Sequence, residues 1–295
     1  MNAAARPGRI ECVVAAGDQL GETPLWCDAT QRLWWIDIEK PKLQSFDPAT
    51  GGHRTTAMPG TFLGSQALAQ SGKRLLAVDL ELRLLDLATG AMTPFATVER
   101  DIDSRLNDGR VDARGRLWIG TMDNQLHRPN GSLYRVDPDG GFTKIIGETI
   151  VSNGVAFAPD GGTLYFTDPR RHMSWAFDLD PDDGTVTNRR VFADYSASDE
   201  RPDGACVDVD GCLWQAFFAG GRIVRYRPDG VIDRTIAVPV TNPTCLCFGG
   251  RDLKTLYVTS ATKFLTPAQR AAEPLAGALL AIEGVGQGLP ENRFG

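Results

Sequence analysis

Residues 33–37 read LWWID, and five later stretches repeat the pattern: LLAVD at 75–79, LWIGT at 117–121, LYFTD at 164–168, LWQAF at 213–217 and LYVTS at 256–260. Their starts are 42, 42, 47, 49 and 43 residues apart. Each is followed by a second alternating segment: KLQSFD from 42, ELRLLD from 81, SLYRVD from 132, MSWAFD from 173, RIVRYR from 222 and ALLAIE from 278. Period-two alternation marks strands with one buried face. Five of these segments run into Gly-bearing turns such as DPATGG and DPDGGF, where Asp, Pro and Gly supply the dihedrals a hairpin needs.

A repeat of 40 to 50 residues built from short antiparallel strands is the pattern of a β-propeller, in which each repeat is a small twisted sheet packed on its neighbours around an axis. Six copies predict an all-β, six-bladed β-propeller. No linker or composition shift divides the 295 residues, so a single domain over 1–295 is expected. A ring must seal its first and last sheets or leave open edges. The early segment IECVVAA at 10–16 is expected to close the last blade beside ALLAIE. The best helical candidate, TPAQRAAEPL at 266–275, is interrupted by Pro274 and reads as a loop decoration.

Composition removes several function classes. With 31 Lys plus Arg against 37 Asp plus Glu, the formal charge is −6, which disfavours a phosphate-backbone footprint and so a nucleic-acid partner. No stretch has the length of an export core or a membrane span, which predicts a soluble, cytoplasmic protein with no membrane partner. The six cysteines form no CxxC pair and read as small core residues. His53, His127 and His172 share no ligand-like spacing, which argues against an imidazole zinc site or a Ser-His-Asp triad.

The repeat also gathers polar residues. Glu22, Asn107, Asn153 and Asp203 lie 11 or 12 positions before the second residue of an aromatic run, Trp34, Trp118, Tyr165 and Trp214 respectively. Equivalent positions in equivalent blades converge on one mouth of the central channel. The corresponding stretches of the other two blades are GSQ near 64 and NPT near 242. Two carboxylates and two amides crowded together call for a compensating positive charge, and an oxygen-only donor set favours Ca²⁺, Mg²⁺ or Mn²⁺, with zinc also accepting carboxylates. Trp34, Trp118 and Trp214 repeat with the scaffold and read as blade core.

GETPLW at 21–26, RLNDG at 105–109, WIGTM at 118–122, SNG at 152–154, RPDG at 201–204 and CFGG at 247–250 together resemble the gluconolactonase, regucalcin and senescence-marker-protein family of six-bladed propellers, over essentially the whole chain. The resemblance implies hydrolysis of sugar lactones to aldonic acids within sugar metabolism. It implies one divalent metal held by Glu22, Asn153 and Asp203, with Arg105 and Asn107 contacting substrate. Asp203 is the candidate general base. A glutamate that some members carry after the GTM motif falls on Gln125 here, a weaker candidate substrate contact in a loop that also holds His127. The same resemblance leaves open a calcium-binding protein without turnover, or another esterase-type hydrolase.

Overall fold

The computed structural model describes residues 8–295. Twenty-four strands form six four-stranded antiparallel sheets. Blade 6 takes its outermost strand from the start of the chain, β1 (Ile10–Val14). Blade 1 is β2 (Gly21–Cys27), β3 (Arg32–Asp37), β4 (Lys42–Asp47) and β5 (Gly52–Ala57). Blade 2 is β6 (Leu63–Leu68), β7 (Arg74–Val78), β8 (Glu81–Leu85) and β9 (Met92–Thr97). Blade 3 is β10 (Ser104–Val111), β11 (Leu117–Asp123), β12 (Gly131–Val136) and β13 (Phe142–Thr149). Blade 4 is β14 (Asn153–Phe157), β15 (Thr163–Asp168), β16 (Met173–Leu179) and β17 (Val186–Asp194). Blade 5 is β18 (Arg201–Val207), β19 (Leu213–Phe218), β20 (Arg222–Tyr226) and β21 (Ile232–Ala237). Blade 6 continues with β22 (Pro243–Gly249), β23 (Thr255–Ser260) and β24 (Leu279–Glu283), which pairs with β1 through Ile10 opposite Ile282 and Cys12 opposite Leu280. The short helix α1 (Pro267–Ala272) decorates the β23–β24 connection and is closed by a capping box between Thr266 and Gln269. No helix among the described residues is long and apolar enough to cross a membrane.

Burial grades outward from the axis. The first strand of each blade is almost wholly buried, whereas β5 is exposed along its whole length. Neighbouring inner strands pack on one another around the ring, β2 against both β22 and β6. The core is therefore a set of wedges between blades. Trp214 and Ile223 meet Leu246 and Leu256 between blades 5 and 6, and Trp118 and Leu133 meet Val155 and Phe166 between blades 3 and 4. Trp118 and Trp214 are fully buried, and their indole N–H groups donate to Asp112 and Asp208 at 2.8 Å. Trp34 departs from the expected blade core. It is only partly buried, packed against Ile36, Leu43 and Leu85 with the Arg74 guanidinium 4.5 Å above its ring, and its indole N–H does not bond the equivalent acid, Asp28, which pairs with Arg293. The six cysteines are unpaired and five are buried.

All six inner strands slip register against their partners at the same place. The irregularity falls between Glu22 and Leu25, Leu63 and Ser65, Leu106 and Gly109, Asn153 and Ala156, Pro202 and Ala205, and Pro243 and Leu246. A bulge turns side chains out of the pleat, and here it does so around the axis. At the other end of the inner strands, residues 284–295 run from blade 6 across the ring. Gly288 bridges Asp208, Arg110 Nη1 donates to Glu291 Oε1 at 2.6 Å, and Phe294 pairs beside Ala69 of blade 2.

Candidate active site

The bulges bring Glu22, Arg105, Asn107, Asn153 and Asp203 into one pocket at the end of the channel where the inner strands begin. All five side chains are buried. Four of them form a chain of hydrogen bonds across three blades. Arg105 Nη1 donates to Asn107 Oδ1 at 2.6 Å, Asn107 Nδ2 to Asn153 Oδ1 at 2.8 Å, and Asn153 Nδ2 to Asp203 Oδ1 at 2.6 Å. Asn107 Nδ2 also reaches the Ser152 carbonyl at 2.8 Å, fixing the turn that carries Asn153. Glu22 closes the group from blade 1, its Oε2 accepting the Thr23 amide at 2.9 Å. Thr23 holds a left-handed φ of 44°, the kind of backbone strain that collects at functional positions.

The charges are unbalanced. Burial, then the Asp108 carboxylate, raises the Glu22 carboxyl above its ordinary range. Burial, then Glu22 and Asp108, raises Asp203 well above its own. Arg105 is pushed down to about 10 by burial and remains a cation at neutral pH. Its guanidinium lies 5.3 Å from the Phe62 ring centroid. Asp108, in the middle of RLNDG, is itself buried and raised by desolvation, and its Oδ2 accepts the Val155 amide at 2.9 Å, tying blade 3 to blade 4.

Arg105, the buried cation of the group, bonds Asn107 and the Leu106 carbonyl and forms no ion pair with either carboxylate. The donor set of two mutually repelling carboxylates and a carboxamide fits a hard divalent cation. Among the described residues no three acidic, cysteine or histidine side chains are grouped for ligation; the carboxamide of Asn153 stands beside the Asp203 carboxylate. The Oγ1 of Thr23, Oγ of Ser65 and Oε1 of Gln66, on β2 and β6, are also buried without a hydrogen-bond partner.

Gln125 is not brought to this mouth. It is exposed and its amide reaches Asp103 Oδ2 at 3.4 Å, while the next residue, Leu126, lines the pocket with φ at 62°. The loop is held by buried Asp123, whose Oδ2 accepts the His127 and Arg128 amides, and His127 is exposed. The mouth also contains residues that the sequence did not single out: Arg170, Arg201, Lys263, Phe218 and Phe264. Arg201 stood within the RPDG motif; the others lie on loops or a strand end without a repeating pattern.

Fold and pocket define a six-bladed propeller with an oxygen-rich axial site. The chain belongs to the family described as SMP-30/Gluconolactonase/LRE-like region, whose model matches residues 20–262. It is 37% identical to 6-deoxy-6-sulfogluconolactonase of Pseudomonas putida over 92% of this chain and 94% of that one. It is 34% identical to regucalcin of Oryctolagus cuniculus over 97% and 98%. Among solved structures, a calcium-binding regucalcin from Agrobacterium tumefaciens superposes with a TM-score of 0.94 at 32% identity, covering 98% of both chains.

Proposed function

We propose that the chain hydrolyses a sugar lactone to the open aldonic acid, in a divalent-cation-dependent reaction at the axial mouth. The observation that carries this reading is the buried relay from Arg105 through Asn107 and Asn153 to Asp203, with Glu22 facing it in the same pocket. The lactonase name of the P. putida relative supports the reaction class.

Glu22, Asn153 and Asp203 would hold the cation. When bound, a divalent ion there would supply a Lewis acid that polarises the ester carbonyl and stabilises negative charge on its oxygen. Asp203 is the base: it takes a proton from the attacking water as the new C–O bond forms. It returns that proton to the ring oxygen as the ring C–O bond breaks, so that water is added across the ester and nothing else is consumed. Asn153 Nδ2 fixes the rotamer of Asp203. Arg105 stays charged and offers its remaining N–H groups to substrate oxygens, while Asn107 locks that guanidinium in place.

The test is a pH-indicator assay of gluconolactone, xylonolactone, arabinonolactone and galactonolactone on metal-stripped protein, before and after addition of Ca²⁺, Mg²⁺, Mn²⁺ or Zn²⁺. Turnover of at least one lactone that depends on the cation is the expected result. Cation binding with no hydrolysis of any lactone would favour the second reading, suggested by the regucalcin relatives, of a calcium-binding protein without turnover.

A further inference from the structure

The chain carries a formal charge of −6, yet the axial mouth concentrates the opposite sign. Arg105, Arg170, Arg201 and Lys263 line it, against the two carboxylates Glu22 and Asp203. A divalent cation on those carboxylates would offset their charge and leave positive charge in excess at the mouth. Two of the four have other engagements. Arg105 bonds the Leu106 carbonyl and Asn107 through Nη1, and Lys263 pairs with Glu39. Arg170 and Arg201 make no ion pair and no side-chain hydrogen bond among the described residues. Arginines on the neighbouring loops do find partners: Arg171 with Asp168 and the Glu148 carbonyl, Arg222 with Glu200, and Arg128 with Asp103 and Asp123.

The two free guanidiniums sit on firm supports. Arg170 lies in the β15–β16 turn, whose backbone is gathered by buried Asp168: Oδ1 accepts the Arg170 amide at 3.0 Å, and Oδ2 accepts the Ile150 amide at 2.8 Å. Arg201 opens β18, paired with Phe218 across the sheet. It precedes Asp203 by two residues, just outside the register slip between Pro202 and Ala205, and both side chains line the same pocket, Arg201 exposed at its rim and Asp203 buried. Around these charges the walls are apolar, with Leu20, Ile38, Val151, Phe218 and Phe264. The Phe264 ring stands edge-on to Phe218 at 6.1 Å between centroids, and its backbone takes a left-handed φ of 63°. Both guanidiniums are exposed at the rim of these walls, where an anionic group on a bound molecule can reach them.

The geometry points to an anion subsite at Arg170 and Arg201. The preferred substrate is then a lactone whose ring carbonyl lies at Asp203 and whose far carbon bears a carboxylate, phosphate or sulfonate. This rests on the lactonase reading for the position of the ring; the subsite itself rests on the two arginines. Arginine forks match such tetrahedral or planar oxyanions, and each charge-assisted pair is stronger than a neutral hydrogen bond.

The experiment compares kcat/KM of the full-length, cation-loaded protein for gluconolactone with that for 6-phosphogluconolactone, its 6-sulfo counterpart and a glucarolactone. The anionic lactones should be preferred by about tenfold or more at low ionic strength, and the preference should shrink with added salt. The ratio of anionic to neutral kcat/KM should fall about tenfold in each of Arg170→Gln and Arg201→Gln, mainly through KM, and Arg201→Lys should recover part of it. Arg171→Gln, which removes a paired charge from the same turn, should leave the ratio alone. The order among phosphate, sulfonate and carboxylate identifies the group. A ratio near one, or a ratio unmoved in the double variant, overturns the subsite while leaving lactone hydrolysis in place. If no lactone turns over, the hydrolase reading falls and calorimetry decides the subsite. Binding of 6-phosphogluconate over gluconate that is lost in the double variant supports it, and equal binding of the two overturns it.

Discussion

The inner strands of blades 2 and 5 share one backbone feature and differ in chemistry. Both slip register at the same point, between Leu63 and Ser65 in one and between Pro202 and Ala205 in the other. Blade 5 places Asp203 at the slip, a carboxylate whose proton affinity is raised by burial and by Glu22. Blade 2 places Ser65 and Gln66 there, and Gln66 does no more than hold the Thr23 carbonyl of blade 1 at 3.0 Å. The bulge belongs to the propeller and recurs in every blade; the reaction belongs to the side chains that four of the blades set upon it. The two can thus be damaged separately.

Asp203→Asn should break the chemistry alone. On the proposed mechanism kcat/KM falls by about 10³-fold or more, while the melting temperature of metal-stripped protein holds or rises because the repulsion between Asp203 and Glu22 is removed. Ser65→Ala at the matching bulge of blade 2 should change kcat/KM by less than about threefold. If Asp203→Asn retains activity, Asp203 is not the base.

Deleting residues 1–16 should break the scaffold, through β1 and with no site residue touched. Loss of the pairing with β24 leaves that strand as an open edge, and melting should fall by about 10 °C or more. An unchanged melting curve would show that the last blade closes without it.

Gly64→Ala sharpens the contrast within blade 2. A Cβ built there lies 2.0 Å from the Leu106 carbonyl oxygen of blade 3, so backbone must move. About 1–3 kcal/mol of stability should be lost in denaturant titration, with KM for a lactone little altered.

The smallest effect is in pH dependence. Glu22 and Asp203 carry raised carboxyl values in the folded chain, so without a cation the folded state holds protons that the unfolded chain has released above about pH 4. Their contribution to stability is fully present below that pH and is lost as pH climbs through the raised folded values. The melting temperature of stripped protein relative to Glu22→Gln should therefore decline from pH 5 to pH 8, and a saturating divalent cation should flatten the decline. A difference that does not vary with pH would mean that Glu22 carries no such strain.

The repeat in the sequence was enough to read six blades and to bring Glu22, Asn107, Asn153 and Asp203 together, because a scaffold that recurs gives every residue a register. What lay outside the register was illegible. Gln125 and Leu126 are neighbours in a loop; Leu126, with a left-handed φ, lines the mouth, while Gln125 is exposed beside Asp103. Asp108 looks like one more turn residue until its burial between blades 3 and 4 is seen. Arg170, Lys263 and Phe264 lie on loops whose lengths and sequences follow no period. The course of residues 284–295 was equally hidden, since its contacts with Asp208, Arg110 and Ala69 are made one blade at a time.

The pairing of β1 with β24 also sets a timetable for the nascent chain. Ile10 waits for Ile282, so at typical elongation rates of about 5–20 residues per second the first strand spends many seconds without its neighbour while five sheets emerge. Until residue 283 clears the ribosome, the strand that will become the last seam of the barrel-shaped ring is a dangling apolar thread. Closure of the ring is thereby deferred until β24 has emerged, and a chain cut short before Leu279 has no strand for β1 to pair with.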